Sequence, residues 1–261
     1  MLTLHRPLPV ESIRLIVFDL DGTLIDSRQD LCNSVNATLQ NFSLAPLPDD
    51  VIAGYIGDGA AMLIRRALTL PGELPGGESA LTEAFFTEAF HFFLDYYRAH
   101  LLDHTHLYPG VRESLESLRI APDGSVRKMA VLTNKPFRPA RVICEGLEIA
   151  SYFFAIYGGD SFTTKKPDPL GLATLIAEAG CTAEETLMVG DSDVDIKTAR
   201  NAGAWALGCS FGLAPDTLAL AQPDAVADHA SAWTLALQTP TASNQSGVHS
   251  SAAPVTPSTV S

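Results

Sequence analysis

Apolar runs that end abruptly at polar residues recur along this chain of 261 residues. The first run covers residues 13–18 and stops at Asp19. Three later runs of the same form cover residues 129–132, 153–157 and 186–189. Strands that are buried on both faces of a parallel sheet read as continuous apolar segments of this kind. The pattern therefore predicts four buried strands, each of which leads into a polar loop.

Helix-like stretches separate these runs, at residues 110–118, 139–147, 169–179 and 195–202. Strands that alternate with helices predict an α/β fold, a Rossmann-like parallel sheet with helices on both faces. Residues 225–228 are predicted to form a final edge strand. Because ligands of such sheets bind beyond the carboxyl ends of the strands, we expect the polar loops to meet at one edge.

Residues 27–106 interrupt this alternation. They contain several amphipathic stretches with no strand-like run between them, among them residues 30–42, 59–70 and 81–101. We therefore expect an all-helical cap that is inserted after the first strand and lies over the site. Its hinges are expected near Asp26-Ser27 and residues 106–109.

The remaining residues divide into a core and a tail. Residues 1–26 and 107–238 are predicted to form the α/β catalytic core. Residues 239–261 are rich in Ser, Thr, Pro and Ala and have no means of burying apolar surface, so this tail is expected to be disordered.

The formal charge of −13 limits the classes of partner. Neither nucleic acid nor an anionic membrane surface is expected, because both require clustered Lys and Arg. A small phosphorylated metabolite remains compatible, since a bound divalent cation can dominate the charge of one pocket. No apolar run approaches the ~20 residues of a membrane-spanning helix, and no signal peptide is apparent, so a cytoplasmic protein is expected. The sequence predicts no oligomeric state.

Asp19 and Asp21 are two carboxylates that follow the first predicted strand directly. If the strand continues, both project from the same side, and Gly22 lets the backbone turn sharply after them. One carboxylate can then attack an electrophile while the other transfers a proton. An isolated pair of this kind is equally compatible with an acidic turn.

Two further clusters supply groups that can bind a phosphoryl oxygen. Thr133 and Asn134 follow the second run and can donate hydrogen bonds without adding charge. Lys165 and Lys166 precede Pro167 and can neutralise an attacking carboxylate and a transferring phosphoryl group. Taken separately, the first pair is also typical of a helix cap and the second of a solvated basic turn.

The fourth cluster has three carboxylates within five residues, at Asp191, Asp193 and Asp195. Oxygen ligands at this density suit Mg²⁺. A calcium loop is excluded because no glycine occupies the sixth position and no glutamate the twelfth. An acidic helix N-terminus remains an alternative. All four clusters together are difficult to explain without a shared site.

Together these residues resemble the haloacid dehalogenase superfamily. Its four motifs match residues 19–23, Thr133, Lys166 before Pro167, and Gly190-Asp191 with Asp195, in order and spacing. The resemblance covers about residues 13–230. The family places its lysine directly before the proline, which favours Lys166 over Lys165.

The resemblance implies a mechanism and a cofactor. Asp19 would attack phosphorus to form an aspartyl-phosphate, and Asp21 would protonate the leaving oxygen and then activate water. Mg²⁺ would be held by Asp19, the backbone carbonyl of Asp21, and Asp191, with Asp195 as a ligand or directly behind the ligands. Thr133, Asn134 and Lys166 would bind the phosphoryl oxygens.

Other residues narrow the class of enzyme. Asp21 favours phosphate esters over halides, because a leaving halide needs no proton. Residues 26–27, 57–68 and 158–160 resemble phosphoglycolate phosphatases. In that resemblance Gly57 and Gly59 belong to a cap loop that extends into the site, and Arg65 is a candidate for binding a substrate carboxylate.

Two other functions remain open from the sequence. A β-phosphoglucomutase or another sugar-phosphate phosphatase would share the same four motifs. A non-catalytic protein that binds magnesium or phosphate could retain the same scaffold.

Overall fold

The computed structural model describes residues 1–69 and 81–238. Its strands are β1 (Leu2–Leu4), β2 (Leu15–Phe18), β3 (Ile25–Asp26), β4 (His106–Leu107), β5 (Lys128–Leu132), β6 (Ala155–Tyr157), β7 (Thr186–Gly190), β8 (Trp205–Cys209) and β9 (Ala225–Ala227). Seven strands form one sheet in the order β1-β9-β8-β7-β2-β5-β6. Every neighbouring pair in it is parallel except β1 and β9.

Ten α-helices lie within the described residues. They are α1 (Arg28–Asn41), α2 (Asp49–Ala53), α3 (Ala60–Leu68), α4 (Glu83–Ala99), α5 (Val111–Leu118), α6 (Phe137–Gly146), α7 (Leu170–Ala179), α8 (Asp193–Ala202), α9 (Leu218–Ala221) and α10 (Ala232–Gln238). None of them is both long and apolar enough to cross a membrane.

The side chains of β2 alternate between two apolar clusters, because successive residues of a strand point to opposite faces. Ile16 and Phe18 belong to one cluster, together with residues of α5, α6 and α10. Leu15 and Val17 belong to the other, with residues of α7 and α8. Helices therefore cover both faces of the sheet, and the predicted α/β fold is confirmed.

The far edge of the sheet differs from the sequence prediction. β9 was expected to be an edge strand, and this is wrong because β1 pairs along it, with Leu2 opposite Ala227. β8, which lies between β7 and β9, was not predicted at all. Its run of five residues contains Gly208 and little β-branched character, so it lacks the features of a strand in sequence.

Between β3 and β4 the described residues form only helices, α1 to α4. Ile25 pairs with Leu107 and Asp26 with His106, so the segment that enters the helical region and the segment that leaves it lie side by side. The buried carboxylate of Asp30 in α1 accepts hydrogen bonds from the backbone N–H groups of His104 and Thr105. The division into core and cap stays a prediction, and the tail predicted for 239–261 lies outside the described residues.

Candidate active site

The carboxyl ends of β2, β5 and β7 meet at one edge of the sheet because these strands are parallel neighbours. Asp19 follows β2, Thr133 follows β5, and Asp191 follows β7. These three residues line one cavity of about 60 Å³. Strand order alone thus brings together groups that are between 58 and 172 residues apart in sequence.

Lys166 joins two of the carboxylates in this cavity. Its Nζ lies 2.7 Å from Asp19 Oδ1 and 2.6 Å from Asp195 Oδ1. All three side chains are buried. Burial alone would lower the pKa of Lys166, but Asp19 and Asp195 raise it above its usual range, so the ammonium form is retained. Lys165, by contrast, is exposed.

Asp191 and Asp195 are held by the segments on either side of them. Asp191 Oδ2 accepts hydrogen bonds from the backbone N–H groups of Leu213 at 2.6 Å and Ala214 at 3.2 Å. Asp195 Oδ2 accepts from the backbone N and the hydroxyl of Ser192, which caps α8. Both carboxylates are therefore fixed before any ligand arrives.

Three carboxylates thus share one small space. Asp19, Asp191 and Asp195 each offer an oxygen, and these oxygens lie within 4.8 Å of one another. Burial raises the pKa of Asp19 to about 6, although Lys166 opposes the shift, and burial together with Asp195 raises the pKa of Asp191 well above its usual value. Clustered buried carboxylates favour a proton or a cation. An all-oxygen donor set of this kind fits a hard divalent cation.

Glycine at two positions lets the backbone approach Asp191. A Cβ on Gly22 would lie 2.1 Å from Asp191 Oδ2, and a Cβ on Gly212 would lie 2.3 Å from Asp191 Cβ. Gly22 also has a positive φ of 83°, which a side chain strongly disfavours. The acidic cluster therefore depends on glycine at both places.

Asp21 has a different set of partners. Its two carboxylate oxygens lie 3.0 and 3.1 Å from Lys135 Nζ, and the Ser27 hydroxyl donates to Oδ1 at 2.5 Å. Lys135 Nζ also donates to the Tyr97 hydroxyl at 2.5 Å. Burial lowers the pKa of Lys135, yet Asp21 and Tyr97 raise it above its usual range, so this second lysine is also an ammonium. Asp19 and Asp21 thus pair with different cations.

Thr133 and Asn134 both line the cavity. The Thr133 hydroxyl accepts a hydrogen bond from the backbone N of Lys135 at 3.2 Å. The Asn134 amide nitrogen donates to the carbonyl oxygens of Lys166 at 3.2 Å and Gly57 at 3.4 Å. The loop after β5 is therefore connected both to the lysine loop and to the helical region.

The three candidates from the helical region are placed differently from one another. Gly57 and Gly59 line the cavity. Arg65 is not among the lining residues: its guanidinium lies 3.2 Å from Glu83 and packs 4.2 Å above the Phe86 ring. The structure therefore does not bring Arg65 together with the other predicted site residues.

Two groups in the site were not anticipated from the sequence. Lys135 was not among the candidate residues, although a lysine directly after Thr133-Asn134 in such an acidic chain was an available signal. Tyr97 is one of many aromatic residues along α4, and helical spacing indicates that it is buried without indicating what its hydroxyl contacts.

The sequence itself identifies the family. The family model for haloacid dehalogenase-like hydrolases matches residues 16–208. Because the match covers most of the chain, the chain belongs to the haloacid dehalogenase-like hydrolase family. The resemblance on which the sequence analysis relied is confirmed.

Named relatives narrow the class. A phosphoglycolate phosphatase of Chromobacterium violaceum is 38% identical over 208 residues, which cover 78% of this chain and 88% of the relative. One from Vibrio parahaemolyticus is 38% identical over 219 residues, covering 84% and 93%. A crystal structure described as a predicted phosphoglycolate phosphatase from Haemophilus somnus 129pt has a TM-score of 0.79 and 33% identity, covering 86% and 97%. The chain is a phosphoric monoester hydrolase, similar to phosphoglycolate phosphatases.

Proposed function

We propose that this phosphatase depends on Mg²⁺ and hydrolyses 2-phosphoglycolate through an aspartyl-phosphate on Asp19. The observation that carries the proposal is the division of the site into two ionic groups. Asp19 is paired with Lys166 beside Asp191 and Asp195, while Asp21 is paired with Lys135. Two carboxylates in one cavity with different partners suit a nucleophile and an acid/base.

Asp19 would attack phosphorus as the ester bond to the leaving oxygen breaks. Lys166 lies against Asp19 and is suited to neutralise both the attacking oxygen and the phosphoryl group. The Thr133 hydroxyl lines the same cavity and would donate a hydrogen bond to a phosphoryl oxygen. Asn134 also lines the cavity, and its amide would bind a phosphoryl oxygen by exchanging one of its hydrogen bonds to the carbonyl oxygens of Lys166 and Gly57. The phosphoryl group is then held covalently on the aspartate.

Asp21 would act in both halves of the reaction. In the first half it gives a proton to the leaving alkoxide, and in the second it takes a proton from the water that attacks the aspartyl-phosphate. The two steps return the enzyme to its starting protonation state. An acid is needed because the alkoxide of glycolate, which departs from 2-phosphoglycolate, is a poor leaving group unless it is protonated.

Mg²⁺ would be held by the carboxylates of Asp19 and Asp191 and the backbone carbonyl of Asp21, with Asp195 as a further ligand or behind them. When bound, the ion supplies positive charge that offsets the charge of the phosphoryl oxygens. Asp193 is not assigned to the metal, because its carboxylate pairs with Lys197 on the surface of α8.

The choice of 2-phosphoglycolate rests on the names of the relatives. We further propose that residues 27–106 act as a cap with hinges near Asp26-Ser27 and residues 106–109, and that Gly57 and Gly59 contact the substrate from that side. A cytoplasmic location follows as an expectation, since a small metabolite is the proposed substrate.

Phosphate release tests the proposal. The protein should release inorganic phosphate from 2-phosphoglycolate in steady turnover with Mg²⁺, should lose this activity with a chelator, and should not act on hexose phosphates. Asp19→Asn should abolish turnover of both 2-phosphoglycolate and p-nitrophenyl phosphate. Asp193→Asn is the matched control and should retain activity, because Asp193 lies outside the cavity.

Two results would contradict the proposal. If Asp19→Asn retains turnover of p-nitrophenyl phosphate, Asp19 is not the nucleophile. If the protein transfers the phosphoryl group between hexose phosphates instead of releasing it to water, the mutase alternative is correct.

A further inference from the structure

Lys135 is a buried ammonium in the cavity that the proposed reaction does not use. Its side chain is 3% exposed, and it lines the cavity together with Asp19 and Asp21. Because Lys166 already pairs with Asp19, the positive charge of Lys135 has a different role. The contacts of Lys135 indicate what that role is.

The ammonium of Lys135 contacts both oxygens of one carboxylate. The distances from Nζ to Asp21 Oδ1 and Oδ2 are 3.0 and 3.1 Å, so the two oxygens are contacted almost equally. The Ser27 hydroxyl donates a further hydrogen bond to Oδ1 at 2.5 Å. Contacts at both oxygens restrict rotation of the carboxylate about its terminal bond, which is otherwise a soft torsion.

Tyr97 determines where the ammonium lies. A lysine has a flexible four-carbon stem, so its position depends on its partners. Among the described residues, the hydroxyl of Tyr97 is the one hydrogen-bond acceptor of Lys135 Nζ besides Asp21. The ammonium also lies 4.7 Å from the Tyr97 ring centroid, and that ring stacks on Phe93 within α4.

Stability does not explain this arrangement. Buried ion pairs contribute little net stability, and apolar replacements of similar volume are often neutral or stabilising. A charged pair at the wall of a reaction cavity is therefore better explained by what it does to the reacting group.

We propose that Lys135, held by the Tyr97 hydroxyl of α4, is a positioning residue that orients the Asp21 carboxylate for proton transfer to and from the leaving oxygen. This inference rests on the proposed acid/base function of Asp21. The inference gives the helical region a part in the chemical step, because Tyr97 of α4 positions Lys135 and Lys135 in turn orients Asp21.

Leaving groups of different basicity provide the test. Alkoxide departure from 2-phosphoglycolate needs a proton, whereas p-nitrophenolate departs without one. Both esters share the later hydrolysis of the aspartyl-phosphate, so the step to compare is the first half of the reaction, measured as release of the leaving alcohol or phenol in a single turnover. Since a positioned general acid contributes about 10²–10⁴-fold, Lys135→Met should lower this rate for 2-phosphoglycolate by about 10²-fold and for p-nitrophenyl phosphate by less than about 10-fold. Tyr97→Phe keeps the ring and removes the hydroxyl, and should produce the same pattern at smaller size even if Lys135→Met fails to fold.

Two comparisons make the result specific. Tyr96→Phe is the matched control, because Tyr96 is the adjacent residue of α4 and stacks on Phe92 and His100, away from Asp21. It should leave both rates unchanged. The double variant of Asp21→Asn with Lys135→Met should be no slower on 2-phosphoglycolate than Asp21→Asn alone, because residues that act through one another are not additive.

The outcomes separate this inference from the function on which it rests. If Asp21→Asn slows the first half of the reaction unequally for the two esters and Lys135→Met slows it equally, the inference is overturned and the proposed function stands. If Lys135→Met raises KM for 2-phosphoglycolate alone with kcat intact, Lys135 binds the substrate carboxylate instead. If Asp21→Asn itself slows the first half of the reaction equally for both esters, the assignment of Asp21 as the general acid fails and the inference fails with it.

Discussion

Gly22 lies so close to Asp191 that a Cβ on Gly22 would stand 2.1 Å from Asp191 Oδ2. The glycine after Asp21 thus does more than permit a turn. It provides the space that the carboxylate at the end of the neighbouring strand β7 occupies, and so connects the first motif of the site to the fourth.

Replacing Gly22 tests this packing. Gly22→Ala combines a left-handed backbone with overpacking and should lower the free energy of unfolding by about 2–4 kcal/mol and abolish phosphatase activity. Gly124→Ala is the matched control, with a φ of 84° and no atom within 4 Å of the added Cβ. It should cost about 1 kcal/mol and leave activity intact. Equal losses in the two variants, measured by urea unfolding, would contradict the packing argument.

The two adjacent lysines should respond very differently to loss of charge. Lys166→Met leaves Asp19 and Asp195 without their buried cation and should lower the free energy of unfolding by about 3–5 kcal/mol in a chelator. Lys165→Met removes an exposed side chain and should change it by less than about 0.5 kcal/mol. Denaturant unfolding of both variants measures the difference, and a larger loss for Lys165→Met would reverse the assignment.

The stabilisation by Mg²⁺ should depend on pH. The pKa of Asp19 is raised to about 6, so without metal the folded state binds this proton more tightly than the unfolded state does. The resulting stability is present at low pH and is lost as pH rises through about 6. Above this pH the ionised carboxylates repel one another, and a bound cation would reduce that repulsion.

Mg²⁺ should therefore raise Tm more at about pH 7.5 than at about pH 5, where protons compete for the same oxygens. Thermal unfolding with Mg²⁺ and with a chelator at both pH values measures this. Asp191→Asn should reduce the Mg²⁺ effect, whereas Asp193→Asn in the same motif should preserve it. An equal Tm gain at both pH values would argue against a metal at these carboxylates.

Arg65→Ala tests the candidate for carboxylate recognition that lies outside the cavity. Its ion pair with Glu83 is exposed on both sides, so the free energy of unfolding should change by about 1 kcal/mol or less. We expect KM for 2-phosphoglycolate to be unchanged. A selective rise in KM for this substrate would instead place Arg65 at the substrate, and steady-state kinetics distinguish the two results.

The sequence was sufficient to predict the sheet around the site. β2, β5 and β7 are apolar runs with sharp polar ends, and strand order then brings Asp19, Thr133 and Asp191 together. β1 and β8 could not be predicted from the sequence. β1 has only three residues at the N-terminus and β8 is a short run that contains glycine, so neither shows a distinct hydrophobic period. Local pattern predicts a buried strand well and the edge of a sheet poorly.

Side-chain partners between distant elements could not be predicted in the same way. The pattern of α4 indicates which face is buried, but the contact of the Tyr97 hydroxyl with Lys135 depends on how that helix packs on the sheet. Arg65 shows the converse, since an arginine on an amphipathic helix carries no information about which surface it faces.

The pairing of Ile25 with Leu107 makes everything between them, in topological terms, the loop of a hairpin. The entropic cost of closing a loop grows only with the logarithm of its length, so the size of the inserted segment hardly affects the strands that close it. An insert with other helices could replace this one without changing the register of β3 and β4. The pairing of β3 with β4 is therefore a suitable junction for transferring such inserts between related phosphatases, provided that the new insert supplies a partner for Lys135 in place of Tyr97.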